Sequence, residues 1–502
     1  MARILVTNWI DGDTLARLAA HGEVDAPTTR DVPSPDDVLR RAADADAGGS
    51  FLDRIDSLDV INLISWRYDR VAARLAERLG IVPPRAVYAV VGGETPTTRI
   101  HEAALRIMNG NSVVAVITGG EAQNAVAKAK AAGIELPWTP PSKTPENPII
   151  PSEHVTPLGM QHGIFQPIHI YPLYENATVA AWGLTPRQAL AESGAAYERI
   201  SAVAATNPFA WGRKAFSADE ITTVSDDNRM ICWPYTKRMV ANNNVNAAAA
   251  VLMTTLAAAR AAGIPEDRII HVHGGASAGE HMDYLKRDQY VHSCAQDAVL
   301  GQAMRIAHNG FDRVELYSCF PTVPKMARRT LGLGPDAPLS VMGGLSFAGA
   351  GLNCYMLHST CAMVRSLRDR PADQALLYGQ GGYVTKHHAL VIGNRPAEPA
   401  WLMLNKDVQD VAEDARADVP AYDGSYAGPA ALETYSIVFG RDGQPSHGSV
   451  VGRTPDGART LGKIDTTDAD ALATLLSLDA HPIGLPGAVS VADDGLQRWR
   501  FA

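Results

Sequence analysis

The densest glycine pattern in the chain marks a tight turn followed at once by a helix. Four glycines stand within residues 343–351, and apolar side chains recur at helical spacing through residues 352–367. Glycine lets a backbone approach a partner closely, and the first N–H groups of the next helix point into the loop before it. The stretch, with ELYSCF at residues 315–320, therefore predicts either a turn that feeds a core helix or a ligand-binding loop.

A second glycine turn lies between two apolar strands. Residues 87–91 and 113–118 read as buried strands, and the segment between them reads as a helix that Thr95 can cap and Pro96 can begin. The Gly92–Gly93 turn then lies at a helix N-terminus, a place that suits a nucleophile or an anion. A purely structural strand–helix–strand unit is the alternative.

Charge and length limit the classes of protein. A chain of 502 residues predicts roughly three domains. The net charge of −9 disfavours binding to nucleic acid or to an anionic membrane. The sequence also lacks an apolar run of the roughly 18 residues that a bilayer span needs. We therefore expect no nucleic-acid partner and no membrane partner.

The cysteines indicate a reducing compartment. There are five of them, an odd number without CxxC pairs. This pattern disfavours a disulfide framework and a structural zinc site. The histidines near Gly274 have no ligand-like spacing with carboxylates, so we expect no metal site. With no signal peptide recognisable at the N-terminus, these features predict a cytoplasmic protein.

The composition and the predicted secondary structure change several times along the chain. Helices are predicted over residues 12–21 and 33–47, and an alanine-rich helix is predicted over residues 242–262. Between them, residues 121–240 carry clustered prolines and scattered aromatics, which predicts an irregular inserted subdomain, or lid.

The last hundred residues have a β pattern. Five short strands and one helix are predicted after residue 395, with Asp-Gly turns between some of the strands. Five strands and one helix suit a small barrel of the OB type. Few basic residues accompany the aromatic ones, so this barrel is not expected to bind nucleic acid.

Several segments in the same order resemble the thiolase superfamily, over about residues 33–395. The resemblance is greatest to sterol-carrier-type thiolases and to thiolase-like proteins described as acetyl-CoA acetyltransferases. It implies an α/β thiolase fold of two βαβαβαββ halves in a five-layer arrangement, a loop subdomain and a small C-terminal β-barrel-like domain. The segments are ISWRYDRVAARLAERLG, GGETPTTRIHEAALRIMNG, ITGGEAQ, NPFAWGRKAF, PYTKRMVANNNVNAAAA, ELYSCFPTV, GGLSFAGAGLN and YGQGGYVTKH.

The resemblance also implies domain boundaries. Residues 1–120 and 241–262 correspond to the N-terminal half, and residues 121–240 to the loop subdomain. Residues 263–395 correspond to the C-terminal half. Residues 396–502 look like the extra C-terminal domain of type 1 thiolase-like proteins.

The catalytic residues of thiolases largely fail to carry over. The position of the nucleophilic cysteine falls on Gly93, and the histidine of the GHP turn falls on Ala350. Without them, an acyl-enzyme cannot form by the usual route. Tyr317 stands at the polar position of the oxyanion-hole motif, as in steroid side-chain retro-aldolases of the superfamily.

Four residues are candidates for catalysis. Tyr317 can donate a proton to an enolate oxygen or act as an acid–base group. Glu94 is a possible base, or only a helix N-terminal acid. Cys319 is a possible nucleophile, or only a buried small side chain. His387 lies in a loop that either faces the site or is merely a solvated charged loop.

The resemblance implies a coenzyme A thioester as substrate, with no separate cofactor. Its carbonyl would be polarised by backbone N–H groups of the glycine turns. We predict that it contacts Gly343, Gly344, Ser346, Gly349, Gly381 and Gly382.

Three functions follow as hypotheses. The first is an acetyl-CoA acetyltransferase-like protein that makes or breaks a C–C bond beside a thioester carbonyl without the usual cysteine. The second is a retro-aldol lyase acting on a β-hydroxyacyl-CoA. The third is a non-catalytic acyl-CoA binding protein. The expected partner is coenzyme A or an acyl-CoA, and the assembly a homodimer or a monomer.

Overall fold

The computed structural model describes residues 2–9, 51–148, 156–308, 310–372, 374–397 and 406–502, with the backbone alone at residues 2–9 and 406. The helices predicted over residues 12–21 and 33–47 lie outside this part of the chain.

Seventeen strands lie within the described residues, and we number them in chain order. They are β1 Ala2–Trp9, β2 Ser57–Val60, β3 Arg85–Tyr88, β4 Val114–Ala122, β5 Met230–Cys232, β6 Tyr235–Thr236, β7 Asn246–Thr255, β8 His271–Gly279, β9 Arg313–Leu316, β10 Ala375–Gly381, β11 Lys386–Gly393, β12 Lys406–Asp407, β13 Gly428–Phe439, β14 Pro445–Arg453, β15 Arg459–Lys463, β16 Pro486–Val491 and β17 Gln497–Phe501.

Thirteen α-helices accompany them in the same part of the chain. They are α1 Val71–Leu79, α2 Thr95–Met108, α3 Gln123–Ala132, α4 Pro157–Gln161, α5 Pro167–Ala181, α6 Pro186–Thr206, α7 Ala218–Thr222, α8 Leu256–Ala261, α9 Cys294–Ile306, α10 Thr322–Thr330, α11 Tyr355–Asp369, α12 Gln409–Ala415 and α13 Ala469–Leu475.

One ten-stranded sheet repeats the same topology twice. Its order is β3-β2-β4-β7-β1-β8-β11-β10-β9, with β12 added beside β8. The pair β2/β4 is parallel, and β4/β7 and β7/β1 are antiparallel. In the second half β9/β10 is parallel, and β10/β11 and β11/β8 are antiparallel. The two halves therefore meet at β1 and β8, as a duplicated fold requires.

Two buried helices form a layer that lies against this sheet. Helix α2 follows the Gly92–Gly93 turn, has Pro96 in its first turn, and buries Ile100 and Ala103 completely. Helix α11 is buried along its first ten residues and packs against α2, β1, β7 and β10. A helix covered on all sides needs apolar or small residues all round, and the sequence of α11 supplies them.

The prediction of an alanine-rich helix over residues 242–262 is wrong. Strand β7 takes Asn246–Thr255 of that segment, and only Leu256–Ala261 is helical. β7 lies between β4 and β1, and a side chain at Gly120 would come within 2.9 Å of the Ala248 Cβ atom. Small side chains are thus required by strand packing, and strand pairing overrides the helix preference of alanine.

The inserted region is more regular than its prolines predict. Within residues 121–240 the described chain forms the long helices α5 and α6. Pro167 and Pro186 each stand in the first turn, where a missing N–H group costs nothing. Thr185 and Gln188 form a capping box that fixes the start of α6.

The predicted C-terminal barrel is confirmed. Strands β14-β15-β17-β16-β13 pair in that order, and β13 also pairs with β14, which closes the sheet. Helix α13 is the single helix between its strands. Val438 of β13 also pairs with Cys232, so β5 and β6 extend this sheet from the inserted region. The OB type of the barrel and the domain boundaries stay predictions.

A buried arginine joins the barrel to the second half. The Arg459 side chain is fully buried and forms an ion pair with Glu433 at 2.7 Å. Its guanidinium also donates to the carbonyls of Leu285 and Arg287. Guanidinium groups suit this role because one side chain can donate several hydrogen bonds at fixed angles.

Among the described residues, no helix combines the length and the apolarity that crossing a bilayer requires.

The buried histidines predict acid lability. Burial lowers the pKa of four of them from 6.5 to about 4, so they bind protons mainly in the unfolded chain. We expect the free energy of unfolding to fall by several kcal/mol as the pH drops from about 6.5 towards 4. Urea titrations at pH 7 and pH 5 measure this difference, and equal values would contradict the assignment. The histidines are His169, His271, His358 and His387.

Candidate functional site

The N-terminus of α2 meets the ends of β9 and β10 at Gly93. A Cβ atom at this position would overlap both the Tyr317 hydroxyl and the main-chain oxygen of Gln380. The space that a side chain at residue 93 would need is therefore filled by the tyrosine. Three different elements converge on one point here, and only glycine fits between them.

Tyr317 presents an unused hydroxyl to this point. The residue is 7% exposed, and its hydroxyl makes no hydrogen bond with a described residue. Its backbone N–H donates to the Tyr378 carbonyl at 3.1 Å, and its ring packs edge-on against Tyr355. Burial, and then the neighbouring Cys319 and Glu94, raise the pKa of Tyr317 well above 10. The phenol therefore stays protonated and can serve as a hydrogen-bond donor.

Glu94 lies beside the tyrosine. It occupies the N-cap position of α2, but its side chain does not cap the helix, and Thr95 lies inside the helix instead of capping it. The Glu94 Oε2 atom is buried and has no hydrogen-bond partner among the described residues. Burial raises the pKa of this carboxyl above its ordinary value, while the ammonium of Lys386 opposes the shift. A carboxylate with a raised pKa is suited to act as a base.

Glycine is required on the facing strand as well. A side chain at Gly381 would overlap the Glu94 carboxylate, and one at Gly379 would come within 2.7 Å of the Thr97 hydroxyl. The start of α2 and the end of β10 thus touch backbone to backbone. Gly382 takes a φ of 64°, and its carbonyl accepts a hydrogen bond from the Tyr171 hydroxyl.

Cys319 lies close to the site but is poorly suited to nucleophilic attack. Its thiol is buried and donates to the Gln380 Oε1 atom at 3.7 Å. Burial raises the pKa of Cys319 to about 12, so the reactive thiolate is scarce at neutral pH. The structure favours the buried small side chain over the nucleophile.

His387 belongs to a different group of side chains. Its ring is hydrogen-bonded to the Tyr378 hydroxyl at 2.7 Å and to Ser293 at 3.3 Å. The prediction that His387 lies in a loop is wrong, because it lies in strand β11. Successive residues of a strand point to opposite faces. The neighbour Lys386 donates to the Val91 carbonyl before α2, and the neighbour His388 is hydrogen-bonded to Thr98 within α2. The structure therefore does not bring His387 to Tyr317 and Glu94.

The other glycine turn is shaped by the protein itself. Gly343 and Gly344 have φ values of 107° and 71°, and side chains there would overlap Ala204 and Ile200 of α6. Gly349 lies against Val245 and Trp211. The close approach is thus to the inserted helix, a partner that the sequence did not reveal.

Ser346 lies in the π-helical turn Gly344–Ala348. Contact of this turn with a coenzyme A thioester stays a prediction.

One residue of the site was missed by sequence reasoning. The side chain of Asn353 accepts a hydrogen bond from the Gly92 N–H group at 3.1 Å, directly before the crowded Gly93. The only sequence signal is an asparagine two residues after the last glycine of a turn, which is too common to be diagnostic.

Within the described residues, no three histidine, cysteine or carboxylate side chains are grouped so that they could hold a metal ion.

Solved structures share the fold. The chain aligns over 100% of its length with 99% of a monomeric SCP2-thiolase-like protein type 1 from Mycobacterium smegmatis, at TM-score 0.79 and 26% identity. It covers 97% of the Ltp2-ChsH2(DUF35) aldolase chain at TM-score 0.51 and 15% identity. It covers 99% of an acetyl-CoA acetyltransferase from Syntrophomonas wolfei at TM-score 0.51 and 13% identity. The last two each align with 78% of this chain.

The C-terminal part of the sequence matches a described domain family. Residues 407–495 match the family described as the thiolase-like protein type 1 additional C-terminal domain. A search of curated proteins found no significant match. The duplicated sheet and the paired central helices define a thiolase-like fold. The chain therefore has a thiolase-like fold, and residues 407–495 match the additional C-terminal domain described for thiolase-like protein type 1.

The crowding at residue 93 can be tested by substitution. We expect Gly93→Ala to lower the free energy of unfolding by about 1–3 kcal/mol, because its methyl group would overlap Tyr317 and a backbone carbonyl. Gly301→Ala is the matched control: it lies in helix α9 with open space around it, and should add about 0.5–1 kcal/mol. Equal urea midpoints for both variants would show that the space is not filled.

Proposed function

We propose that the chain binds an acyl-CoA thioester and makes or breaks the C–C bond beside the thioester carbonyl by acid–base chemistry. The reaction that the site supports best is retro-aldol cleavage of a β-hydroxyacyl-CoA, or its reverse. The thiolase-like fold supports the choice of substrate class. The residues at the helix N-terminus support the choice of mechanism.

One observation carries the proposal. The hydroxyl of Tyr317 occupies the space in which a nucleophilic side chain at residue 93 would lie. The Tyr317 hydroxyl lies against Gly93, and the Glu94 carboxylate lies against Gly92 and Gly381. The Glu94 Oε2 atom is buried and has no hydrogen-bond partner among the described residues. Leaving such an atom unpaired costs about 1–3 kcal/mol, and a bound substrate would recover that free energy.

The two groups suit the two demands of a retro-aldol reaction. The Glu94 carboxylate takes the proton of the β-hydroxyl group, and that oxygen becomes a carbonyl as the Cα–Cβ bond breaks. The electron pair of the broken bond passes to the thioester as an enolate, whose oxygen accepts a hydrogen bond from Tyr317. Return of the proton to Cα gives the shorter acyl-CoA. No oxidant and no covalent intermediate are needed.

Acetyl transfer receives less support from this geometry. It needs an activated nucleophile to hold the acyl group, and the Cys319 thiol is buried with a pKa raised to about 12. An acetyltransferase-like reaction at this site would have to proceed by direct condensation of two bound thioesters, without an acyl-enzyme.

Calorimetry with coenzyme A and a panel of acyl-CoAs, followed by product analysis of the same mixtures, tests the proposal. Binding with release of a free aldehyde or ketone is the expected result. A shorter acyl-CoA that appears only when free coenzyme A is added would indicate thiolysis instead. Binding without product would favour a non-catalytic acyl-CoA binding protein. Absence of binding would overturn the assignment of the substrate class.

Tyr317→Phe should separate catalysis from binding. Removing the hydroxyl deletes the donor to the enolate oxygen, and we expect kcat to fall about 10²–10³-fold while the acyl-CoA dissociation constant changes little. Tyr435→Phe is the control, since Tyr435 is also buried and donates to the Leu475 carbonyl inside the barrel. Similar rates for the wild type and Tyr317→Phe would remove the tyrosine from the mechanism.

Lys386→Met should shift the pH dependence of the reaction. The base must be deprotonated, so the rate rises with pH through the raised pKa of Glu94. The Lys386 ammonium lowers that pKa, and its removal should move the rising limb to higher pH. The exposed Lys128 of α3 provides the control variant Lys128→Met. A rising limb that stays in place, or moves to lower pH, would show that Glu94 is not the titrating base.

A further inference from the structure

A line of three asparagines leads away from the candidate site, of which Asn353 and Asn62 are buried and Asn147 is exposed. Asn353, at the start of the second central helix, accepts from the Gly92 N–H group with its Oδ1 atom. Its Nδ2 atom donates to the main-chain oxygen of Asn62 at 3.0 Å. The residue is 4% exposed, so both bonds are shielded from water. One amide thus joins the reacting turn of the first half to the helix layer of the second half.

Asn62 continues the line towards the surface. It follows β2, is 2% exposed, and donates from its Nδ2 atom to the carbonyl of Asn147 at 3.0 Å. The same amide lies 3.3 Å from the carbonyl of Ala89, which follows β3. The amide therefore ties the ends of two neighbouring strands to a segment that is remote in sequence.

Asn147 closes the line in the proline-rich segment, residues 137–148. Its φ of 43° places it in the left-handed region, which asparagine tolerates better than most residues. Its Nδ2 atom donates to the Tyr88 carbonyl at 2.7 Å. The segment is also held by Trp66, whose Nε1 atom donates to the Thr139 carbonyl at 2.8 Å.

We propose that Asn353, Asn62 and Asn147 form a single positioning device, which we call the asparagine relay. It fixes the Gly92–Glu94 turn and couples the turn to the proline-rich segment. Its role rests on the proposed function of Tyr317 and Glu94. Asn353 is a positioning residue, because it acts on the turn that carries the base.

Asparagine is well suited to such a relay. The Asn353 side-chain amide accepts a bond on one side and donates a bond on the other. Asn62 and Asn147 accept with their main-chain carbonyls and donate from their side chains. A buried donor that loses its partner costs about 1–3 kcal/mol, which makes the links of Asn353 and Asn62 selective for one arrangement of the chain. Movement of the proline-rich segment therefore changes the support of the turn at Gly92.

Asn353→Ala removes the hydrogen bond to the Gly92 turn. Asn62→Ala removes the hydrogen bond to Asn147 in the proline-rich segment, but leaves the bond between Asn353 and Gly92 in place. We expect kcat to fall at least 10-fold in Asn353→Ala and about 3–10-fold in Asn62→Ala. The acyl-CoA dissociation constant should change less than threefold in both. The control is Asn228→Ala, because Asn228 is fully buried and donates to three backbone carbonyls within the inserted region.

Amide hydrogen exchange supplies a readout that needs no turnover. In Asn353→Ala, peptides that contain residues 92–95 should exchange at least 10-fold faster than in the wild type. In Asn62→Ala, residues 92–95 and 137–148 should both exchange faster. Asn228→Ala should change neither region.

The two readouts separate the two proposals. If residues 92–95 and 137–148 both exchange faster in Asn62→Ala but the protein cleaves no β-hydroxyacyl-CoA, the relay is supported and the proposed lyase function is overturned. Cleavage that survives in Asn353→Ala at the rate of Asn228→Ala would overturn the relay and leave the lyase standing. Faster exchange confined to residues 137–148 in Asn62→Ala would show that the segment is held there but not coupled to the site.

Discussion

The candidate site depends on one fully buried carboxylate. Glu315, on β9, accepts hydrogen bonds from the Ser340 hydroxyl, from the N–H groups of Val341 and Met342, and from the Tyr355 hydroxyl. This one carboxyl group thereby fixes the entry to the glycine turn and the first residue of the second central helix. Tyr355 in turn supports the ring of Tyr317. A buried carboxylate is tolerated only when its oxygens are so fully bonded, and this bonding holds the turn, the helix and the tyrosine in one arrangement.

The proposed chemistry of the site follows from which side chain fills the space beside Gly93, at the start of the first central helix α2. In the proposed reaction, the tyrosine that fills the space beside residue 93 leaves no room for a nucleophilic side chain and provides a donor for a developing negative charge. Burial raises the pKa of both neighbours, so the Tyr317 phenol stays protonated and the Glu94 carboxyl becomes more basic. The lysine on the adjacent strand limits the second effect. The proposed acid–base function is therefore a consequence of packing as much as of residue identity.

Sequence patterns anticipated the parts of this fold in which local and tertiary preferences agree. The barrel strands alternate with Asp-Gly turns, and both glycine turns precede real helices. The prediction failed at β7, where alanines serve strand packing, and in the inserted region, where prolines begin helices. At the site, Tyr317 and Glu94 were predicted from motif position, and the structure places both next to the Gly92–Gly93 turn. Their catalytic roles stay a prediction. The pairing of Asn353 with Gly92 could not be predicted, because it joins residues 261 positions apart.

The sheet shared by the barrel and the inserted region also affects how the chain is made. Trp233 belongs to the apolar core of the barrel and donates its backbone N–H group to the Ile437 carbonyl. During synthesis, this tryptophan leaves the ribosome long before the strands that will cover it. The indole of Trp233 in the inserted region therefore stays uncovered until the C-terminal strands have been synthesised. A chain released early would carry that apolar surface into the cell, where it is a natural target for chaperones.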